Sequence, residues 1–202
     1  MTGHPAGTDD PFAALRDEIA ADPLNASFTA RGWRPLVVGS PASRIVILSQ
    51  APGRRAQDSG IPFHDASGDR LLRWLGLTRE RFDDVEKVAI VPMDFYYPGK
   101  GASGDLPPRR GIAAAWHPRV FELMRPSLRI VVGAYAQAFH LGDRRRETLT
   151  ETVRNWRSYG PDVVPIVHPS PLNVGWHLRN PWFEEELVPD LRRRVADALN
   201  DR

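Results

Sequence analysis

Two segments more than a hundred residues apart hold the residue types with chemical use. The first begins Gln50-Ala51-Pro52-Gly53 and leads into Pro62-Phe63-His64-Asp65; the second is His168-Pro169-Ser170-Pro171-Leu172-Asn173. Together they supply an aromatic plate, a carboxylate, an imidazole and turns stiffened by proline. That set suits a pocket that holds a flat polar ring and breaks a bond to it. Each segment follows a short apolar, β-branched run, which places it where a strand of an α/β sheet ends, the edge at which such folds build their pockets.

Each segment also has an ordinary reading. Ala51-Pro52-Gly53 forces a sharp turn and leaves main-chain groups close to anything lying above it, yet it also serves as a plain exit from a strand. Asp65 or Ser67 suits the cap of a following helix, Phe63 a core position and His64 the surface. Capping accounts for one polar residue but not for an aromatic beside two ionisable groups. In the second segment, two prolines stiffen a turn that presents His168 at the strand end and points a hydroxyl and free amides outward, a suitable holder for a phosphate. Leu172 at its tip is then an exposed apolar residue with a use, wedging into a base stack. The ordinary alternative is a proline-rich loop around a structural histidine.

A third stretch, residues 97–110, carries glycines and Lys100 but lacks the spacing of a phosphate-binding P-loop. It suits a basic rim for a phosphate backbone, with Lys100 and Arg109 as contacts, or equally a solvated loop. The arginine runs at 144–146 and 192–194 read as solvated helix faces. The six histidines show no metal-ligand spacing and no Gly-x-Ser-x-Gly elbow is present, so we expect no metal, no other cofactor and no serine nucleophile.

The elements that must position these residues alternate. Buried-strand patterns fall at 36–38, 44–48, 88–91, 129–132 and 163–167. Helical patterns fall at 11–21, 68–76, 80–85, 113–124, 135–141 and 149–159, and a last helix starts with Asn180 as cap and Pro181 at its first position. Strands separated by helices predict a three-layer α/β/α sandwich around a parallel sheet. Two long loops, 50–67 and 93–111, follow strands and should meet the His168 turn on one edge of the sheet.

Composition sets the outer limits. At 202 residues, we expect a leader over 1–10 without fixed structure and a single domain over 11–202. Charged residues at 26% and apolar ones at 42% fit a soluble globular chain. No run approaches the roughly 20 apolar residues of a membrane span, and the start lacks a secretory pattern, so we expect a cytoplasmic protein with no membrane partner. The absence of cysteine excludes disulfides, thiolate-held iron–sulfur clusters and a cysteine nucleophile. A net charge of +2 makes the whole-molecule field a weak argument for any partner. Nothing in the pattern demands a dimer, and we expect a monomer.

From Ile45 through the final helix the chain resembles the uracil-DNA glycosylase superfamily. Ser49-Gln50-Ala51-Pro52-Gly53 is similar to the first motif of the thermophilic types, which carry alanine where the best-known uracil enzymes have a water-activating aspartate. His168-Pro169-Ser170-Pro171-Leu172 matches the second motif of those best-known enzymes, and Asn173 is similar to the single-strand-selective branch. Pro62-Phe63-His64-Asp65-Ala66-Ser67-Gly68-Asp69 resembles, one residue shorter, the thermophilic B-type segment in which an aspartate activates water. The cluster cysteines of the thermophilic types are absent. The asparagine that reads the uracil edge is not found in Val91-Pro92-Met93-Asp94-Phe95.

The resemblance implies a central, mainly parallel four-stranded sheet and a monofunctional glycosylase that turns uracil out of DNA and leaves an abasic site. It implies Asp65 and His168 as catalytic residues. With the reading of the residues above, our candidates to line the base are Gln50, Ala51, Phe63, Met93, Asp94 and Asn173, and those to touch DNA are Gly53, Ser170, Pro171, Leu172, Lys100 and Arg109. The partner is then DNA containing uracil or another deaminated base, and the location nucleoid-associated. Three other readings stand beside it: a glycosylase for another lesion such as hypoxanthine, a non-catalytic module for damaged or abasic DNA, and a hydrolase of free nucleosides.

Overall fold

The computed structural model describes residues 10–102 and 104–200. Residues 1–9 of the expected leader lie outside that range; Asp10 does not, and its side chain caps the first helix by accepting the Phe12 N–H at 2.9 Å. The elements in chain order are α1 (Pro11–Ala21), α2 (Ala26–Thr29), β1 (Ile45–Ser49), α3 (Arg54–Ser59), α4 (Ala66–Leu75), α5 (Arg79–Asp83), β2 (Val88–Pro92), β3 (Lys100–Gly101), β4 (Gly104–Asp105), α6 (Ile112–Leu123), β5 (Leu128–Val132), α7 (Gly133–Leu141), α8 (Leu149–Arg154), β6 (Val163–Ile166), α9 (Val174–Arg179) and α10 (Val188–Asn200). None of these helices is long and apolar enough to cross a membrane.

Four strands form one sheet in the order β2-β1-β5-β6, every pair parallel. All five residues of β1 and of β2 are buried, as expected where helices cover both faces of a parallel sheet. Alternation splits them between two cores. Ile45 and Ile47 pack with Leu71 and Leu75 of α4 and Leu191 and Val195 of α10. Val46 and Leu48 face the opposite layer, with Phe12 and Ile19 of α1 and Val120 of α6. The three-layer α/β/α sandwich expected from the alternation is therefore present.

Three local expectations are corrected. Residues 36–38 are no strand of the sheet: Val38 makes a single antiparallel bridge to Ile90, and Leu36 donates its N–H to Phe95. The helix read over 149–159 ends at Arg154 and resumes as a 3₁₀ turn, Trp156–Tyr159. The last helix opens with a π-helical turn, Phe183–Leu187, before α10. Pro189 explains that turn, because its ring would strike the carbonyl four residues back and a wider turn makes room.

Under α6 and α7 two histidines form a buried chain. His117 Nε2 lies 3.0 Å from the Pro92 carbonyl and His117 Nδ1 lies 3.0 Å from His140 Nε2. A carbonyl only accepts, so neutral His117 donates from Nε2 and receives the His140 proton on Nδ1. Burial holds His117 below the ordinary histidine value, and burial with the neighbouring His117 and Arg129 pushes His140 down to about 3. Both folded values are depressed, so the stabilisation is complete above the unfolded value near 6.5 and is lost as pH falls from there towards about 3. We expect urea denaturation at pH 5 to show roughly 2 kcal/mol less stability than at pH 7 from His140 alone. A His140→Phe variant should have a shallower acid limb; an unchanged limb would remove this pair as its cause.

Candidate active site

The ends of β1, β2 and β6 open on one edge, and the segments that follow them enclose a cavity of about 290 Å³. That is near the small end of ligand pockets, which run roughly 300–1,000 Å³. Gln50, Ala51, Gly53, Phe63, Asp65, His168, Ser170 and Leu172 line it. Residues from both ends of the chain are thus brought to one chamber, the arrangement expected from the strand-end positions.

Asp65 is the N-cap of α4. One carboxylate oxygen, Oδ1, accepts the Gly68 N–H at 2.9 Å, and Oδ2 has no protein donor among the described residues. The capping role weighed from sequence is therefore real and occupies only half of the carboxylate. Oδ2 lies 4.0 Å from where a Cβ on Gly53 would stand, an ordinary contact distance, so Gly53 borders that oxygen.

Phe63 owes its placement to strain held from two sides. It has φ +55°, the only positive φ of a non-glycine residue among those described. A Cβ on Gly68 would fall 1.7 Å from the Phe63 carbonyl oxygen, so only glycine permits the turn to fold back this closely. Arg79 Nη2 donates to that same carbonyl at 2.9 Å, and the Phe63 ring meets Phe82 edge-on with centroids 6.1 Å apart.

The second motif is braced in a similar way. Ser170 Oγ accepts the Leu172 N–H at 3.2 Å, Asn173 Nδ2 donates to the His168 carbonyl at 2.7 Å, and Arg70 of α4 donates to the Ser170 carbonyl at 3.0 Å. The helix that Asp65 caps thereby also holds the turn bearing His168. Leu172 is 92% exposed, which a core residue would never be. His168 is partly buried and packs against Gly133; burial depresses its pKa against the opposing field of the Asp65 carboxylate, so it is neutral at pH 7.

Several expected site residues stand elsewhere. Asp94 is fully buried and both oxygens are taken by Arg109, through Nε and Nη2 at 2.8 Å each. It has no capacity left for the edge of a base. Arg109 is likewise committed, donating to the Leu24 carbonyl and the Asn25 side chain at 2.8 Å with its guanidinium 4.5 Å above the Phe28 ring, so it is an interior clamp rather than a basic rim. Met93 faces a separate cleft with Pro107, Arg109 and Phe139. Asn173 spends its amide on the turn, Pro171 starts the 3₁₀ turn Pro171–Asn173, and Lys100 lies in a neighbouring cleft.

Other residues enter the wall unforeseen. Ser49, Ser67, Asp105 and Leu106 line the cavity. Asp105 and Leu106 follow the glycine-rich stretch, where nothing in residue spacing marks an inward position. Arg70 and Arg79 resemble any charged helix residue until the carbonyls they hold are seen.

The chain matches the family model described as the Uracil DNA glycosylase superfamily over residues 36–192, and it belongs to that superfamily. Membership carries a uracil-DNA glycosylase-type role in DNA repair and DNA as the partner.

Proposed function

We infer that this superfamily member is a monofunctional DNA glycosylase that extrudes uracil from DNA and hydrolyses its N-glycosidic bond, leaving an abasic site. The observation that carries the reading is the single chamber shared by Asp65, His168 and Phe63, with exposed Leu172 at its rim.

A base inside a duplex is out of reach, so the nucleotide must turn out at a cost of a few kcal/mol. Leu172 fills the space left behind, and the Ser170 turn holds the flanking phosphate. Phe63 stacks on the ring, a contact of roughly 1–3 kcal/mol that accepts any base. Bond breaking places negative charge on the departing base and positive charge on the sugar. Neutral His168 donates a hydrogen bond to the ring carbonyl that gains charge, and Asp65 Oδ2 faces the sugar cation and orients the attacking water. Neither motif contains a lysine, which leaves water as the nucleophile and the strand uncut.

Removing the His168 donor should cost about 100- to 1,000-fold in turnover. His168→Ala is therefore expected to release uracil that much more slowly from a labelled duplex, read as alkali-sensitive strand breaks. Wild-type rates in that variant would remove His168 from the reaction.

Discrimination falls to main-chain groups near Gln50 and Ala51 and to the side chains of Ser49 and Gln50, since Asp94 is occupied. Because β2 ends without an amide side chain turned to the cavity, a second reading is a glycosylase for another deaminated base such as hypoxanthine. A panel of duplexes, each with one lesion and treated with alkali after incubation, separates the two. Tight binding of every duplex without base release would instead mark a damage-binding module.

A further inference from the structure

Beside the cavity lies a larger cleft of about 560 Å³ that the reaction above does not use. Gly53, Asp65, Pro98 and Asp105 form a wall common to both. The far side is built by Arg31, Trp33, Arg55 and Lys100. Arg31 and Trp33 precede residue 36, where the family match begins, so part of this side lies outside the matched residues, whereas Arg55 and Lys100 lie within them.

The chemistry of the cleft is an aromatic plate among cations. Arg31, Arg55 and Lys100 are exposed and form no ion pair among the described residues. Arg54 pairs with Asp58 at 2.8 Å, and Asp105 accepts the Tyr97 hydroxyl at 3.1 Å, so those carboxylates are in part engaged. The Trp33 indole rests on Phe28, centroids 5.9 Å apart and planes within 16°, and Phe28 stacks in turn on buried Tyr96. Guanidinium groups of Arg31 and Arg54 lie over the indole, 5.5 and 5.7 Å from its centroid, and both residues line the cleft with their own planar cations. The indole N–H has no protein acceptor among the described residues. Cations that track a backbone beside planar groups that stack bases are the recognition chemistry of single-stranded nucleic acid.

We propose that this cleft is a second nucleotide subsite, which receives the base and phosphate next to the extruded nucleotide in unpaired form. The place of the cleft beside an extruded nucleotide rests on the glycosylase reading; its affinity for single strands does not. The two sites adjoin across Gly53, Asp65, Pro98 and Asp105, so a strand with one nucleotide in the cavity has its neighbour beside the cleft.

The probe is a single-stranded oligonucleotide of about 15 nucleotides with an abasic analogue at its centre, compared with the same analogue as a single nucleotide, which has no neighbour to place in the cleft. Arg31→Ala/Arg55→Ala should bind the long strand with a salt slope shallower by about 1.4, at roughly 0.7 per lost contact on single strands. Trp33→Leu should bind the long strand about tenfold more weakly, while the single-nucleotide analogue is bound as by wild type. Because the two arginines are exposed, their double variant keeps the test open if Trp33→Leu fails to fold. Wild-type affinity and slope in the arginine variant would overturn the subsite. Base release by the unaltered protein is measured in parallel. Release with an unaltered slope sinks the subsite alone, and a lowered slope without release sinks the glycosylase reading alone.

Discussion

Asp65→Asn is expected to leave the protein folded and able to bind DNA while lowering base release about a thousandfold, within the roughly 100- to 10,000-fold range of a positioned acid or base. The substitution is informative because Asp65 does two things. Its Oδ1 caps α4 through the Gly68 N–H. Asparagine caps a helix about as well as aspartate, so the helix and the turn it braces through Arg70 survive. Only the charge is lost, and with it the field on the sugar cation and the acceptor for a water proton. Thermal unfolding, affinity for an abasic duplex and single-turnover base release should therefore read as unchanged, unchanged and severely reduced. Full turnover by the variant would mean that the carboxylate is a cap and nothing more, and the water would then need a different holder.

The largest effect on stability is expected from Arg109→Ala. Asp94 has no solvent contact and depends on the forked guanidinium at 2.8 Å, with the main-chain N–H groups of Tyr96 and Arg109 as its other donors. Deleting the cation leaves a buried carboxylate uncompensated, a loss of about 3–5 kcal/mol. In a chain of this size that corresponds to a fall in Tm of about 10 °C. Adding Asp94→Asn to the Arg109→Ala chain should recover part of the loss, because a neutral amide tolerates the missing cation better than a carboxylate does. Lys100→Ala, at an exposed position, should shift stability by no more than about 0.5 kcal/mol. Equal Tm values for the Arg109 and Lys100 variants would show that the interior pair is not what joins the loop after β2 to the α2 region.

That pair also shows where residue patterns stop being informative. The sheet was legible because β1, β2, β5 and β6 are short β-branched runs bounded by turn residues, and burial of both faces demands such runs. The meeting of Asp65 and His168 was legible for a related reason: in a parallel sheet all strand ends that precede a crossover share one edge. A lone aspartate and an arginine fifteen positions later carry no comparable period. Asp94, just after β2, looks like a group facing the pocket, and Arg109, in a basic loop, looks like a rim contact; only the fold turns both inward onto each other. Met93 went astray by the same step, because where the chain turns after a strand end decides which cleft each side chain meets. The cleft around Trp33 was hidden for a further reason: its walls come from Arg31, Arg55 and Lys100, three stretches with no common motif.

The backward fold of the chain at Phe63, fixed by Gly68 and the Arg79 clamp, has a bearing on how quickly an arriving nucleotide is retained. A loop whose backbone is already immobilised leaves little torsional freedom to be quenched at the encounter, so under the proposed function the ring would meet a base ready-aligned rather than after a search. Under that proposal selectivity would be exercised late, by whether the trapped heterocycle suits the chamber, and mismatched visitors should depart intact instead of being slow to enter.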